Sequence, residues 1–565
     1  MTGTLDDPDA LPPKGEFFCK NRSKWMPEIP GTYFDPFSGL GKTHCALGVF
    51  HKQEIKDEIA MSGLSVPVNV LADQKRVIAE TITDLKANLP VANPTKSFWL
   101  TEPNASPSPR EGCEGAFTKD ADVCIIGSGI SGVSTAYHLA KLIARESRDV
   151  AEPLRVVILE AREFCRSHDT GVVQCLSDED AGSGATGRNG GHLTGTAFEG
   201  FIHNTEVYGK EEAVRQLAIE KYTVDEVVKV IHELGQEEYV DLVPHGHIDL
   251  YITPSELAAA KADYEAATAA GVDLGHVEWL TKEQVKSQYG TEYAASRCPG
   301  NNLWPPKLVG VLYEAAKKET QKLDLKLHTC TAVWDIAALK DRKSSGRLWA
   351  LKTSRGDISC SYVVHATNAY VSHLLPHLAG PSGVIPTRGQ VITLRAGASA
   401  EKITNASWWG NEGFEYWFPR PVKSPSEHPL VVLGGGREAV KPNFELYETD
   451  DSIVNPVAGK ALRGFLPGLF PGLYKEGREP EMEWTGIMGF TKSGDPFVGP
   501  VVDPSNRDPK AYEGQFITAG FSGHGMPRTF ACAEVIAGML HAELTGKEWV
   551  APSWFPLHYL TTKAK

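Results

Sequence analysis

The chain has 565 residues, 41% hydrophobic and 23% charged, with a formal net charge of −14. That length allows two lobes with a large buried core, while the acidic balance argues against a nucleic-acid partner, which needs a basic footprint. Ten cysteines without a CxxC pair fit reduced thiols better than a disulfide framework or zinc site, and no apolar run approaches the ~20 residues that span a bilayer. The acidic N-terminus has no apolar h-region, so the expected location is the cytoplasm and no membrane partner is expected.

Residues 1–95 read as a Pro- and Gly-rich N-terminal extension with one amphipathic helix near 71–88, carrying Leu71, Val77, Ile78, Ile82 and Leu85 on one face. A linker-like stretch follows at 103–115. At 122–132 the run DVCIIGSGISG passes from an apolar strand through Gly127, Gly129 and Gly132 into helical spacing at Val133, Ala136, Tyr137, Ala140 and Ile143. A second apolar strand, 154–159, ends at Glu160. Strand, glycine turn, helix, strand and acid together form a dinucleotide-binding fingerprint. Gly127 allows the tight turn, Gly129 the approach of a pyrophosphate and Gly132 close helix–strand packing, and the helix N-terminus favours the phosphates. Glu160 lies 28 residues after Gly132, later than the usual ~20, and the charged stretch 146–153 accounts for the excess.

A polar loop at 163–183 leads to a second glycine cluster, GATGRNGGHL at 184–193. Helical material is expected over 205–235, then a strand and helix at 245–267. His245 and His247 make an HxH, but a metal site needs three or four convergent ligands, so no metal is expected. A helix at 308–322, a strand at 325–333, a hairpin at 341–346 and an apolar strand at 361–367 follow. The region 383–480 is strand-like with Trp-, Pro- and Gly-rich connections. FITAGFSGHGM at 516–526 repeats the strand-to-glycine-turn pattern before a final helix through Glu543.

Four landmarks in this order resemble the D-amino-acid oxidase superfamily of flavoproteins: GSGISG…E at 127–160, GRNGGHL at 187–193, VVHATNAY with IPTRGQV at 363–391, and GIMGFTKSGDPFVGP…ITAGFSGHGM at 486–526. The wording is most similar to the glycine/sarcosine oxidase and gamma-glutamylputrescine oxidoreductase-like branch. The resemblance covers roughly 90–560. It implies a two-lobed α/β fold: a glutathione-reductase-type FAD lobe (118–245, 300–382 and 484–562) interrupted by an antiparallel-sheet substrate lobe (246–299 and 383–483).

It also implies residue roles. Gly127, Ser128, Gly129, Ile130, Ser131 and Gly132 would hold the pyrophosphate, with Glu160, Ala161 and Arg162 at the ribose. Arg188, Asn189, Gly190, Gly191 and His192 would run along the ribityl chain and flavin, and Val333, ending its strand, would meet the adenine through its backbone. Ala366 would line the cofactor. Gly520, Phe521, Ser522, Gly523, Gly525 and Met526 would face the flavin, where a helix N-terminus stabilises charge on the reduced ring.

For the substrate, strand alternation in GFEYWFPRP places Phe414, Tyr416 and Phe418 on one face, with Arg420 beyond. Such an aromatic wall ending in a cation suits an apolar body with a carboxylate; the same face could equally be sheet core with Arg420 paired to an acid. Tyr416 and His524 are the candidate catalytic residues, and Tyr416, Arg420 and His524 the candidate substrate contacts. His524 and His192 have packing alternatives as turn or loop histidines.

The chain departs from the family pattern in several places. Asn368 replaces a glycine, Met488 stands where sarcosine-oxidase-like members carry a flavin-linking cysteine, and Val432 where they carry a lysine. Met526-Pro527 replaces another lysine, with Arg528 nearby. The resemblance implies an enzyme with non-covalent FAD that oxidises the C–N bond of a small amine or amino acid to an imine by hydride transfer to flavin N5, with O2 reoxidation to H2O2. A flavin dehydrogenase or tailoring oxidoreductase with another acceptor, and a non-catalytic flavin-binding protein, are the alternatives. Substrate identity and oligomeric state are not legible in the sequence.

Overall fold

The computed structural model describes residues 67, 70–80, 85–101, 108, 110–146, 152–164, 184–340, 346–505, 508 and 510–562. The expectations for 1–66, for most of the loop at 163–183 and for the hairpin at 341–345 lie outside them.

One lobe is built on a six-stranded sheet in the order Phe497–Pro500, Gln515–Ala519, Tyr362–His365, Val123–Ile126, Leu154–Leu159, Leu323–His328. Its pairings are parallel except that of Phe497–Pro500 with Gln515–Ala519. The strands VCII and LRVVIL are uniformly apolar because both faces are covered. Val123, Ile125, Val156 and Ile158 pack under the helices Ile130–Ala144, Pro305–Glu319 and Thr529–Thr545. Cys124, Ile126, Val157 and Leu159 face a three-stranded sheet made of Val333–Ala338, Trp349–Thr353 and Gly356–Cys360. Period-two alternation thus assigns the residues of two strands to two separate cores.

The other lobe is an eight-stranded sheet in the order Met482–Phe490, Ile385–Arg395, Leu430–Gly435, Glu415–Pro419, Ser407–Gly410, His247–Tyr251, Ala294–Cys298, Glu278–Leu280. It is antiparallel but for one parallel pair, Ser407–Gly410 with His247–Tyr251. The α/β two-lobed class expected from the sequence is the class observed. Met482–Phe490 pairs along its whole length with Ile385–Arg395, so this strand lies in the second sheet, across the 483/484 division drawn from the sequence.

Two elements differ from expectation for local reasons. The strand expected to end at Val333 ends at His328, and Val333 instead opens the strand Val333–Ala338. Between them Cys330 adopts φ +50, and the Cys330 and Thr331 amides donate to the Arg162 and Glu160 carbonyls, pulling the chain out of the sheet. The helix expected over 71–88 spans Leu71–Glu80, and Leu85 is 68% exposed. Val77 and Ile78 of that helix pack against Phe414, Phe444 and Phe490 of the second lobe.

Candidate active site

A cavity of about 730 Å³ runs between the lobes, from Gly127 and Glu160 to Tyr416 and Trp409. At its nucleotide end Gly127 has φ +107, and a Cβ there would fall 2.6 Å from the Ala366 carbonyl oxygen. A Cβ on Gly132 would fall 1.9 Å from the Gly127 carbonyl oxygen, so only glycine lets this helix pack so closely on the turn. Glu160 accepts hydrogen bonds from the Ser128 amide (3.0 Å), the Ser128 hydroxyl (2.8 Å) and the Arg162 amide (2.9 Å). Of the residues assigned to this region from the sequence, Gly127, Gly129, Ile130, Ser131, Glu160, Ala161, Arg162, Val333 and Ala366 line the cavity. Ser128 and Gly132 fix the turn from behind. Thr186 was not foreseen: its hydroxyl accepts from the Ile130 amide (3.0 Å), capping a helix whose own N-cap, Gly129, has no side chain to do so.

The second glycine turn is held by side chains distant in sequence. Ser97 Oγ donates to the Gly187 carbonyl (2.7 Å), Trp99 Nε1 to Asn189 O (2.5 Å) and Trp484 Nε1 to Arg188 O (3.0 Å). Arg188 and Arg162 line the cavity with their guanidinium groups drawn onto one buried acid. Arg162 binds Asp451 through Nη1 (3.0 Å) and Nη2 (2.6 Å), and Arg188 Nε lies 3.6 Å from it. Arg188 also donates to the Thr95 and Thr485 carbonyls. No local sequence signal links Asp451 to either arginine.

The last glycine turn is pinned by Asn368. At φ +44 it occupies the conformation the family glycine would, and its Oδ1 accepts from the Gly520 amide (2.9 Å). This departure from the family pattern therefore ties two landmarks together. Phe521, Ser522, Gly523, Gly525 and Met526 line the cavity, and Gly520 supports them from φ +86. The Gly523, Gly525 and Met526 amides have no hydrogen-bond partner among the described residues, directly before the helix Thr529–Thr545. They form a donor edge for an anionic acceptor.

At the substrate end, strand register builds a continuous face. Val391, Gly434, Tyr416, Trp409 and Asp249 are successive cross-strand partners, and all but Gly434 line the cavity. Gly434 is bare because the Tyr416 ring lies over it: a Cβ there would fall 2.2 Å from Tyr416 Cζ. The same ring would be 2.3 Å from a Cβ on Gly190. Tyr416 is therefore clamped between the two lobes' glycines, and its hydroxyl makes no hydrogen bond among the described residues. Burial raises that hydroxyl to about 12, so it stays a neutral donor. Phe414 joins it on the cavity, while Phe418 is buried behind, its ring 5.3 Å from that of His192.

His192 lines the cavity beside Tyr416, with Nδ1 3.3 Å from Gly190 O and Nε2 3.3 Å from Trp408 O. Burial and the nearby His247 lower it to about 3, leaving the ring neutral at working pH. His524 also lines the cavity, and its Nε2 donates to Glu220 Oε2 (2.9 Å). The other Glu220 oxygen accepts from Arg528 Nε (2.7 Å), and the Thr196 amide donates to the first (2.7 Å). Burial would raise Glu220, but His524 and Arg528 hold it at about 2. Glu220 thus joins both candidate cations at the flavin turn and fixes His524 with its proton on Nε2. Its position in the middle of the long helix Lys210–Glu233 gave no sequence cue.

Arg420 does not reach the cavity. Its guanidinium pairs with Asp241 and stacks 5.2 and 5.0 Å from the Trp99 and Trp304 rings. The strand alternation holds through Phe418, but at Arg420 the chain has left the strand. His245 is exposed and His247 buried, bonded to Ser407 and Asp249, so the HxH histidines diverge.

Glycine-lined phosphate approach, acid, donor edge and aromatic face lie along one cavity, and they fit an extended flavin dinucleotide with a small substrate beyond it. The family model described as FAD dependent oxidoreductase (DAO) matches residues 122–539. A probable oxidoreductase OrdL of Rhizobium meliloti (strain 1021) is 26% identical over 76% of this chain and 83% of its own length. Gamma-glutamylputrescine oxidoreductase of Escherichia coli (strain K12) is 23% identical over 75% and 84%. Among solved structures, glycine oxidase from Geobacillus kaustophilus superposes with TM-score 0.53 at 20% identity, covering 79% of this chain and all of its own. L-proline dehydrogenase from P. horikoshii gives 0.52 at 19%, covering 78% and 98%. The landmarks, the fold and the family match agree: the chain belongs to the DAO family of FAD-dependent oxidoreductases.

Proposed function

We propose that the protein oxidises the C–N bond of a small amine or amino acid to an imine and is reoxidised by O2, releasing H2O2. The observation that carries this reading is the clamp of Tyr416 between Gly190 and Gly434, which sets an aromatic, hydroxyl-bearing wall where cofactor and substrate ends of the cavity meet. Bound FAD supplies the hydride acceptor at N5. Gly127 to Ser131 and Glu160 would hold its diphosphate and ribose. The amides of Gly523, Gly525 and Met526 would face its ring, where such donors favour negative charge.

Free alkylamines have pKa values of about 10, so the site must favour the neutral amine, whose lone pair weakens the adjacent C–H bond. Trp409, Phe414 and Tyr416 do so by excluding water and offering apolar surface. The Tyr416 hydroxyl orients the substrate as a donor. His192, neutral and held between carbonyls, packs against the Tyr416 ring rather than accepting a proton.

An anaerobic screen of amines and amino acids against the yellow holoenzyme tests the reductive half. Bleaching is expected with at least one class, and a flavin that none of them reduces would refute amine oxidation. A second reading, a dehydrogenase with another acceptor, is favoured by one observation. Val432 is sealed in an apolar cluster with Trp99, Trp304 and Phe418, and both Arg528 and His524, near the flavin turn, are paired to Glu220. Stopped-flow mixing of photoreduced enzyme with air-saturated buffer decides between them: reoxidation within seconds is expected of an oxidase, and a reduced flavin lasting many minutes identifies the dehydrogenase.

A further inference from the structure

Among the described residues, Leu71, Leu89 and Pro90 line the cavity and precede the family-matched segment 122–539. The latter two belong to the nucleotide side. There the Ala87 amide donates to Ser372 Oγ (2.9 Å), and Arg162 Nε donates to the Val91 carbonyl (2.8 Å). Leu71 stands at the other end. It belongs to one apolar cluster with Phe414, Met488 and Phe490, all of which line the cavity.

A loop of the second lobe sets the position of Leu71. Asn411, Glu412 and Gly413 all have positive φ, +53, +57 and +79. Residues other than glycine hold that conformation only where their surroundings impose it. Here the loop and the start of the helix Leu71–Glu80 hold each other. Asn411 Nδ2 donates to the Pro67 carbonyl (3.0 Å), the Leu71 amide to Glu412 Oε2 (2.9 Å), and the Glu412 amide to Glu256 Oε1 (2.7 Å). The Glu412 carboxylate thus satisfies one open donor at the helix N-terminus, where negative charge is favoured.

The helix itself is lightly seated. Its ten residues are too few for a helix stable alone. On its inner face Gln74 is 2% exposed, and neither Nε2 nor Oε1 has a hydrogen-bond partner among the described residues. An unpaired buried amide weakens docking. The helix therefore does less for the stability of the fold than its apolar contacts suggest, while its first side chain closes part of the cavity.

We propose that the helix Leu71–Glu80 is a cap on the substrate end and that Leu71 sets the size of the amine admitted. Compact amines fit beneath it, and an apolar extension beyond the aromatic wall meets its side chain. This rests on the amine-oxidation reading for its meaning but is tested by binding alone.

The probes are benzyl alcohol and 4-butylbenzyl alcohol, neutral rings that differ by one apolar extension. Both are titrated into FAD-loaded wild type, Leu71→Ala and Leu71→Trp, and read by isothermal calorimetry and by the flavin absorbance shift. In open apolar space the butyl chain would strengthen binding. Against a closed wall, wild type should bind the longer probe no more than about twofold more tightly than the shorter. Leu71→Ala should shift that ratio toward the longer probe by at least about tenfold, and Leu71→Trp should shift it the other way. Opposite shifts exclude a merely structural role, which would weaken both probes alike. A wild type that binds the longer probe more than about twofold more tightly would overturn the proposal even if both variants failed to fold. So would a folded Leu71→Ala that keeps the wild-type ratio or binds neither probe, or variants that lose FAD with the ratio unmoved. A protein that shows the size shift yet has its flavin reduced by no amine would overturn the function reading alone.

Discussion

The two ends of the cavity are built by different means. The nucleotide end is backbone: Gly127, Gly129 and Gly132 sit within six consecutive positions, and their work is to have no side chain. The substrate end is side chains gathered from four strands, Val391, Tyr416, Trp409 and Asp249, set in one row by register although Asp249 and Tyr416 lie 167 positions apart in sequence. Local recognition tolerates no change in its few residues. Convergent recognition depends on every contact that fixes the row, including some far from it.

The largest effect is expected at the backbone end. Gly132→Val places a branched side chain into the Gly127 carbonyl, already 1.9 Å from a bare Cβ, and should yield protein without FAD, read from the 450 nm region of the purified sample. Gly129→Val should lose FAD by filling the pyrophosphate approach, with the fold retained by circular dichroism, since the nearest neighbour of its Cβ is the Thr186 hydroxyl at 3.1 Å. If Gly129→Val purified with full flavin content, the backbone account of this end would be wrong.

At the substrate end, Gly190→Ala drives a methyl into the Tyr416 ring, 2.3 Å from a Cβ there. FAD should be retained while amine-driven reduction slows on the order of 100-fold, because the wall that orients the substrate shifts. Unchanged reduction kinetics would show that Tyr416 positions nothing.

Glu220 tests how far the second end depends on distant support. Glu220→Ala leaves Arg528 buried without its carboxylate and should cost about 3–5 kcal/mol, measured by chemical denaturation. Since the folded carboxyl is held at about 2, below its ordinary value of 4.5, its stabilisation is present above pH 4.5 and drains away as pH falls toward 2. The Glu220→Ala protein should lack that acid-side loss. His524→Ala should act more weakly, slowing reoxidation by O2 by a few-fold while leaving amine reduction less affected. Met488 has no thiol for a flavin thioether, so acid precipitation should release all colour to the supernatant. Colour kept in the washed pellet would point to another link, with His192 the first residue to examine.

The arginines show where sequence reasoning reached its limit. Alternation within the strand Glu415–Pro419 sets Tyr416 and Phe418 on one face, while Phe414 reaches the cavity from the turn before it. The same alternation carried Arg420 along, although the strand ends at Pro419 and Asp241 takes its charge. Glu220 in mid-helix and Asp451 in a loop are unmarked, because an ion pair between residues 304 positions apart, as His524 and Glu220 are, leaves no periodic trace. Trp99 and Ser97 lay at the edge of the matched region, yet they hold the flavin-side turn.

The sequence by itself determined the α/β lobe, its glycine turns, the acid at Glu160 and the tyrosine at 416, since each depends on conformational freedom or on the two-residue and 3.6-residue periods of local structure. Only the tertiary structure decided which acid each buried cation meets. Charge compensation is set by which side chains meet in space, and the strand order of the eight-stranded sheet, not the order of the chain, brings Tyr416, Trp409 and Asp249 together, while Arg420 is drawn to Asp241 and Arg528 to Glu220.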